Sequence, residues 1–256
     1  MNFTVISAAA DINSPEFFEK MSNTVIGRVG SYLAQRLSDT GADALFVTVA
    51  VLSALACILI PYFLGSINFG IIISKLFHNE DIREYGSGNA GMTNMLRTYG
   101  KRDAAITLAG DAVKAVVAVV LGRLLFGLTG GYIAGFFCIV GHAFPCYYRF
   151  KGGKGVVVTA ATVAVIDWRI FLILLAVFII VVALSRFISL GSVTGMLLFP
   201  LLVQAMNRGL SINLLLSVAI AALVIFLHRE NIKRIYHGKE SKLSFSKTDK
   251  HKKDGN

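Results

Sequence analysis

Long apolar segments separated by short polar ones restrict the fold of this chain more than any other feature. Hydrophobic residues make up 55% of the 256 residues and charged residues only 16%, against roughly 25% charged residues in a soluble domain. In a bilayer every backbone polar group needs an internal partner, which leaves helices or a closed barrel. The segments are too long for barrel strands and lack alternation. The sequence therefore predicts an all-α, polytopic membrane helix bundle.

Seven segments are predicted to span the membrane. They cover residues 44–74, 103–126, 130–148, 155–167, 169–185, 192–207 and 211–228. The fourth is shorter than the ~20 residues of a perpendicular crossing. The chain then divides into an N-terminal extension (1–43), a membrane domain (44–238) and a basic tail (239–256). Helical spacing of apolar residues in the extension indicates an amphipathic helix on a membrane surface, and a partly disordered extension is the alternative.

Lysine and arginine are distributed unevenly between the two sides of the predicted bundle. With the N-terminus outside, 18 of them fall on the inner side and six on the outer side, and Lys114 lies within a span. This bias predicts an outside N-terminus and a cytoplasmic C-terminus. Half of the net charge of +10 lies in residues 229–256, after the last predicted span, so it does not indicate nucleic acid, and no nucleic-acid partner is expected.

The unusual polar stretches all fall on the predicted inner side. They read "YGSGNAGMTNMLRTYGK", "GHAFPCYYRFKGGKG", "SRFISLGS" and "HRENIKR". The outer loops, such as "GLTGG" and "DWR", are short and contain no comparable polar motif. A transporter or channel would need comparable polar features on both sides or in mid-membrane. We therefore expect one site, on the inner face.

The stretch "GSGNAG" matches the glycine spacing of a dinucleotide-binding turn. Its glycines are Gly86, Gly88 and Gly91, but a charged loop precedes them instead of a strand, which excludes that fold. Glycines still leave backbone N–H groups free to face an anion. A short helix is predicted from Gly91 to Gly100. The polar side chains around this turn are Ser87, Asn89, Thr93, Asn94 and Arg97.

The stretch "FKGGKG" places Lys151 and Lys154 around three glycines, Gly152, Gly153 and Gly155. It is not a Walker A loop, because it lacks that motif's first glycine and its Ser/Thr. The two lysine ammonium groups and the backbone N–H groups of the glycines can together bind a phosphate monoester or anhydride. This loop is the second candidate for binding phosphate.

Three other features leave alternatives open. His142 ends a predicted span and is either packed or functional. Asp111 and Lys114 share one face of a predicted span, where charges are functional or neutralise one another. The three cysteines have no C-x-x-C spacing, and they are expected to be apolar fillers instead of a disulfide framework or zinc site.

The order of the motifs resembles the PlsY-type glycerol-3-phosphate acyltransferases of bacteria over about residues 55–240. The motifs are "GSINFG", "GSGNAGMTNMLR", "DAVK", "GHAFPCYYRFKGGKG", "RFISLGS" and "HRENIKR". The resemblance implies a seven-helix enzyme of the bacterial inner membrane with its site on the cytoplasmic face. It implies transfer of an acyl chain from acyl phosphate to the 1-hydroxyl of glycerol 3-phosphate, giving lysophosphatidic acid for phospholipid biosynthesis.

Carried over to this sequence, the resemblance and the loop chemistry predict two groups of site residues. The catalytic group is Ser87, Arg97, Lys154, His228 and Asn231. The substrate-binding group is Gly86, Gly88, Asn89, Gly91, Thr93, Asn94, His142, Lys151, Gly152, Gly153, Gly155 and Ser189. Which loop binds which phosphate, and which group acts as a general base, stays open at this point.

The expected partners are acyl phosphate, glycerol 3-phosphate and membrane lipid, with functional coupling to an enzyme that forms acyl phosphate. No metal or cofactor is expected. Thioester-dependent glycerol-phosphate acyltransferases resemble one another in an H-x-x-x-x-D pair, and no histidine of this chain has an aspartate five residues later. A membrane phosphatase would need a nucleophile or a carboxylate cluster, and the inner loops supply only scattered carboxylates.

Overall fold

The computed structural model describes residues 24–28, 39–207 and 211–243. These residues form α-helices, turns and connecting segments, with no strand among them, which confirms the all-helical prediction. The helices are α1 (Asp39–Ser66), α2 (Phe69–His78), α3 (Met92–Thr98), α4 (Lys101–Ala143), α5 (Val156–Ile166), α6 (Trp168–Ser185), α7 (Ile188–Asn207), α8 (Ile212–Leu227) and α9 (Arg229–Tyr236). Most of the predicted N-terminal amphipathic helix lies outside the described residues.

Four described helical stretches are long and apolar enough to cross a membrane. They are Val47–His78, Lys101–Tyr148, Trp168–Ser185 and Ile188–Met206, and a fifth results if the bent pair α8 and α9 counts as one span. Helix α5 is apolar but has only 11 residues. Many large apolar side chains on these helices are exposed on the protein surface, as a lipid-facing surface requires.

Helix α4 reverses direction in its middle. Phe126 and Gly127 have non-helical dihedral angles, and Gly127 has a φ of 62°. A Cβ atom added to Gly122 would lie 2.3 Å from the carbonyl oxygen of Gly130, a contact that eight residues of continuous helix would not allow. The two arms therefore lie side by side, in agreement with the separate spans 103–126 and 130–148 of the sequence prediction.

The first predicted span, 44–74, is not one continuous helix. It separates into α1 and α2 at Ile67 and Asn68, and the Asn68 side chain accepts a hydrogen bond from the N–H of Ile71 at the start of α2. An asparagine at this position favours a new N-terminus over continued helix because its side chain satisfies a free N–H. The uniform hydrophobicity of the segment concealed this break.

Helix α4 lies at the centre and contacts α1, α2, α3, α5 and α8. Its second arm approaches α1 closely, since a Cβ at Gly141 would lie 2.1 Å from the carbonyl oxygen of Tyr62. Small residues permit such close approach between membrane helices. The described cysteines are all free, and Cys57 and Cys138 are buried, as expected of apolar fillers.

Candidate active site

The first glycine loop is folded around the amide of Asn94. Asn94 Oδ1 accepts from the N–H of Ser87 at 3.0 Å, and Nδ2 donates to the carbonyl oxygens of Ile82, Tyr85 and Asn89 at 2.9–3.2 Å. The Asn94 side chain is buried. With this number of internal partners, Asn94 shapes the loop, although the sequence suggested a contact with substrate.

Glycine is required at the first position of this loop for two reasons. Gly86 has a φ of +58°, and a Cβ there would lie 2.3 Å from Asn94 Oδ1, so a side chain would meet both strain and a clash. Gly91 precedes α3 as its N-cap, and the structure confirms the short helix predicted after it. Ser87 and Gly88 are exposed, and Asn89, Thr93 and Arg97 are half-buried.

The second glycine loop packs against the end of α4. The N–H groups of Gly152 and Gly153 donate to the carbonyl oxygens of Ala143 and His142, both at 3.1 Å. A Cβ at Gly153 would lie 2.3 Å from His142 Nε2, so the imidazole ring occupies the space of a side chain. This contact holds the loop close to the bundle and leaves Lys151 exposed and Lys154 half-buried.

A buried charged network lies beneath this loop. Lys114 Nζ is 2.8 Å from Asp111 Oδ1 and 3.0 Å from His142 Nδ1. It also donates to the carbonyl oxygens of Gly65 and Ile67 at 2.9 and 2.6 Å. The two charges thus neutralise one another, and the lysine links the end of α1 to the base of the second loop. His142 Nδ1 belongs to this network and the imidazole ring packs against Gly153, so His142 positions the loop.

Arg83 joins the two loop regions, a role that sequence reasoning did not assign. Its Nη1 donates to the carbonyl oxygens of Tyr148 and Lys151 at 2.9 and 2.8 Å. Asp81 accepts from its Nε and Nη2 at 2.9 and 2.6 Å, and this guanidinium holds the pKa of Asp81 below its ordinary value. A single arginine in a charged loop carries no motif that would have revealed this.

The second loop meets the end of the bundle through Lys154, whose Nζ donates to Asn231 Oδ1 on α9. Asn231 Nδ2 and Ser189 Oγ of α7 both donate to Glu240 Oε1 at 2.6 Å. Arg234 Nε donates to Glu240 Oε2 at 2.8 Å. These donors converge on one carboxylate, so the cluster is a candidate for binding an anion, and we call these residues around Glu240 the anion site.

Further positive charge surrounds that carboxylate. Arg97 interacts electrostatically with Glu240 and Arg234, and its Nη2 donates to the carbonyl oxygen of Ser241 at 3.3 Å. Burial, together with Arg234 and Arg97, lowers the pKa of Lys154 to about 8. Crowded cations with depressed pKa values are the arrangement expected where an anionic substrate binds.

His228 lies at the bend between α8 and α9, which meet at 54°. Its side chain is buried, and Nδ1 is 2.8 Å from the carbonyl oxygen of Val224. Because a carbonyl oxygen only accepts, Nδ1 carries the hydrogen and Nε2 of the neutral ring is an acceptor. Lys154 and Glu240 are close enough to interact with this ring electrostatically. His228 therefore offers an acceptor atom beside the anion site.

The structure thus brings together some of the predicted site residues and not others. Those around the anion site are Arg97, Lys154, Ser189, His228 and Asn231. Glu240 and Arg234 belong to the same cluster and were not predicted. For Glu240 the available signal was weak, since it is one of three carboxylates in the basic tail.

A separate open depression of about 550 Å³ lies beside the first loop. It is lined by Lys75, Asn79, Glu80, Asp81, Glu84 and Tyr85. With three carboxylates against one lysine, this depression does not suit a phosphate. The cation cluster around Lys154 is the better candidate site.

Comparison with known proteins points to one family. The family model described as glycerol-3-phosphate acyltransferase matches residues 55–238. A glycerol-3-phosphate acyltransferase of Thermoanaerobacter sp. (strain X514) is 43% identical over 194 residues, which cover 76% of this chain and 96% of the relative. One of Clostridioides difficile (strain 630) is 38% identical over 204 residues, which cover 77% of this chain and 98% of the relative.

Two crystal structures of PlsY (YgiH), an integral membrane glycerol 3-phosphate acyltransferase, are similar to this chain. The glycerol 3-phosphate form superposes with a TM-score of 0.70 at 33% identity and covers 75% of this chain and 96% of that one. The lysophosphatidic acid form gives a TM-score of 0.68 at 32% identity, with the same coverage.

Proposed function

The chain belongs to the glycerol-3-phosphate acyltransferase family, and on that premise we propose its donor, product and site. It transfers a fatty acyl chain from acyl phosphate to the 1-hydroxyl of glycerol 3-phosphate, giving lysophosphatidic acid. Acyl phosphate is a mixed anhydride that a separate enzyme must form, so the activity is coupled to such an enzyme. The PlsY relative was crystallised in glycerol 3-phosphate and lysophosphatidic acid forms, which supports this acceptor and product.

The convergence of donors on the Glu240 carboxylate is the observation that carries the proposal. Ser189, Asn231 and Arg234 donate to it, with Lys154 beside them. A phosphoryl group presents acceptor oxygens of the same kind with greater charge. A phosphate in this position would lie next to His228 and at the end of apolar helices that can accommodate an acyl chain.

The reaction proposed for this site needs no covalent acyl-enzyme, metal or cofactor. The 1-oxygen of glycerol 3-phosphate attacks the acyl carbonyl carbon, and the bond from that carbon to the phosphate oxygen breaks. The hydroxyl proton passes to the departing inorganic phosphate, whose charge Lys154 and Arg97 stabilise. His228 Nε2, which as the unprotonated nitrogen can accept a hydrogen bond, orients the hydroxyl. A phosphate leaving group makes a strong base unnecessary.

Direct assay of the purified protein tests this function. With palmitoyl phosphate and radiolabelled glycerol 3-phosphate in detergent, we expect labelled lysophosphatidic acid and an equal amount of inorganic phosphate. Denatured protein is the control, because acyl phosphates also hydrolyse in water. Phosphate release without labelled lipid would identify a hydrolase and would contradict the proposal.

We also propose that the bundle crosses the membrane seven times, with the N-terminus outside and the site on the cytoplasmic face of the bacterial inner membrane. Counting the two arms of α4 as separate crossings adds one to the four long stretches, and the short helix α5 and the bent pair α8 and α9 add one each. Both glycine loops and α9 carry the basic residues that the positive-inside rule assigns to the cytoplasm.

Cysteine labelling tests this orientation. In a cysteine-free background, Ser87→Cys and Lys151→Cys, both at exposed positions, should react in intact cells only with a membrane-permeant reagent, because the proposed topology puts them in the cytoplasm. Trp168→Cys, which is 64% exposed at the opposite end of the bundle, should react with an impermeant reagent. The reverse labelling pattern would overturn the proposed topology.

A further inference from the structure

The second glycine loop is preceded by a strained turn. Arg149 and Phe150 both have a φ of 57°, in the left-handed region that residues with a side chain rarely adopt. Both side chains are exposed, so packing of these side chains does not hold the turn. Strained conformations persist only where surrounding contacts impose them, and they concentrate at functional sites. Contacts of the backbone must therefore stabilise this turn.

Arg83 contacts the backbone on both sides of the strained residues. Its Nη1 donates to the carbonyl oxygens of Tyr148 and Lys151, at 2.9 and 2.8 Å, which come immediately before and after them in the chain. Within the turn, the N–H of Lys151 donates to the Tyr148 carbonyl oxygen at 3.3 Å, and the N–H of Phe150 donates to that of Pro145 at 3.0 Å. The Arg83 side chain thus joins the two ends of the turn from outside it.

The Arg83 guanidinium is itself held in a fixed place. Asp81 accepts from its Nε and Nη2 at 2.9 and 2.6 Å, which leaves Nη1 for the turn. The neighbouring Ile82 is fully buried, and its carbonyl oxygen accepts from Asn94 Nδ2 at 3.2 Å. A planar guanidinium that is already oriented loses little conformational entropy for each hydrogen bond it forms. Arg83 therefore connects the second loop to the buried amide that shapes the first loop.

From this geometry we propose that Arg83 is a positioning residue for the reaction, because it holds the strained turn and thereby keeps Lys154 at the anion site. Lys154 follows Phe150 by four residues and donates to Asn231. The inference rests on the proposed function for its substrates, whereas the loop conformation can be measured without them. The fraction of molecules with an ordered loop sets the apparent affinity for the substrate phosphate, and loss of Arg83 lowers that fraction.

Kinetics of Arg83→Gln test the proposal first. We expect the KM to rise about tenfold for the substrate whose phosphate Lys154 binds, with kcat within about twofold of the parent, because saturating substrate shifts the population to the ordered loop. Glu84→Gln is the matched control, since its exposed side chain follows Arg83 in the same turn, and it should change neither constant. Unchanged KM values in Arg83→Gln would overturn the proposal. A large fall in kcat at unchanged KM would do the same, because it would mean that Arg83 acts only in the transition state.

Rescue by glycine distinguishes positioning of the turn from a general loss of stability. Glycine adopts a positive φ without strain, so Phe150→Gly removes part of the cost that Arg83 offsets. In the Arg83→Gln background, Phe150→Gly should lower the raised KM about three- to fivefold. Phe150→Ala deletes the same ring but keeps the strain, and it should not lower the KM. Equal effects of the two substitutions would contradict the positioning role.

Hydrogen exchange of the purified protein in detergent measures the loop without substrate. The N–H groups of Gly152 and Gly153 donate to the carbonyl oxygens of Ala143 and His142. In Arg83→Gln these two amides should exchange at least about tenfold faster, while amides in α3 and α8 keep the parental rate, because only the loop opens. Faster exchange of the loop in a protein without acyl transfer would support the positioning role and reject the proposed function. Parental exchange of the loop, or faster exchange throughout the chain, would overturn the positioning role.

Discussion

Purified protein is expected to form lysophosphatidic acid from palmitoyl phosphate and none above background from palmitoyl-CoA or palmitoyl acyl carrier protein. The cations around Lys154 suit a phosphate leaving group with several charged oxygens, whereas a thioester would place a single thiolate sulfur there, which accepts hydrogen bonds only weakly. No histidine of the chain has the aspartate five residues later that typifies thioester-dependent enzymes. The measurement is labelled lipid formed with each donor at equal concentration.

A restoration control makes the donor result specific. Adding inorganic phosphate and an enzyme that converts the thioester to acyl phosphate should restore product in the thioester reactions. This shows that acceptor and protein are competent in the same mixture. Robust turnover of either thioester without that enzyme would contradict the assignment of the donor.

Substitution of the two predicted cations should produce the second large effect. Lys154→Ala and Arg97→Lys are each expected to lower kcat/KM about ten- to a hundredfold, because a charge-assisted hydrogen bond contributes about 1.5–3 kcal/mol. Lysine in place of Arg97 keeps the charge but loses the planar two-pronged geometry. Lys233→Ala, with a side chain 67% exposed on the same face, is the matched control and should keep parental activity.

The pH profile separates Lys154 from a merely structural lysine. Its pKa is lowered from the ordinary value to about 8, so the ammonium is charged below that pH and loses its charge as the pH rises through it. The kcat/KM of the parent should therefore fall above pH 8, and this fall should disappear in Lys154→Arg, whose guanidinium stays charged. A parental profile in Lys154→Arg, or near-normal turnover in both cation variants, would place the site elsewhere.

Much of the fold could be predicted because the bilayer imposes one rule on every backbone group. Uniformly apolar segments had to become helices, and the reversal near Gly127 followed from the polar and glycine-rich interruption of two apolar runs. The break at Asn68 escaped prediction because a single capping side chain decided it within an apolar stretch. Helix ends depend on such local hydrogen bonds, which hydrophobicity does not record.

The sequence by itself determined the helical bundle and the glycine-and-lysine composition of the two loops, and it predicted that the polar motifs cluster on one side of the bundle. These features are local, since each depends on residue types within a few positions of one another. Only the tertiary structure decided how the residues are used. It turned Asn94 and His142 into supports for the loops, made Arg83 the link between them, and brought Glu240 onto Ser189 and Asn231. These contacts join residues far apart in the chain, and their partners are fixed by how the helices pack and not by any motif.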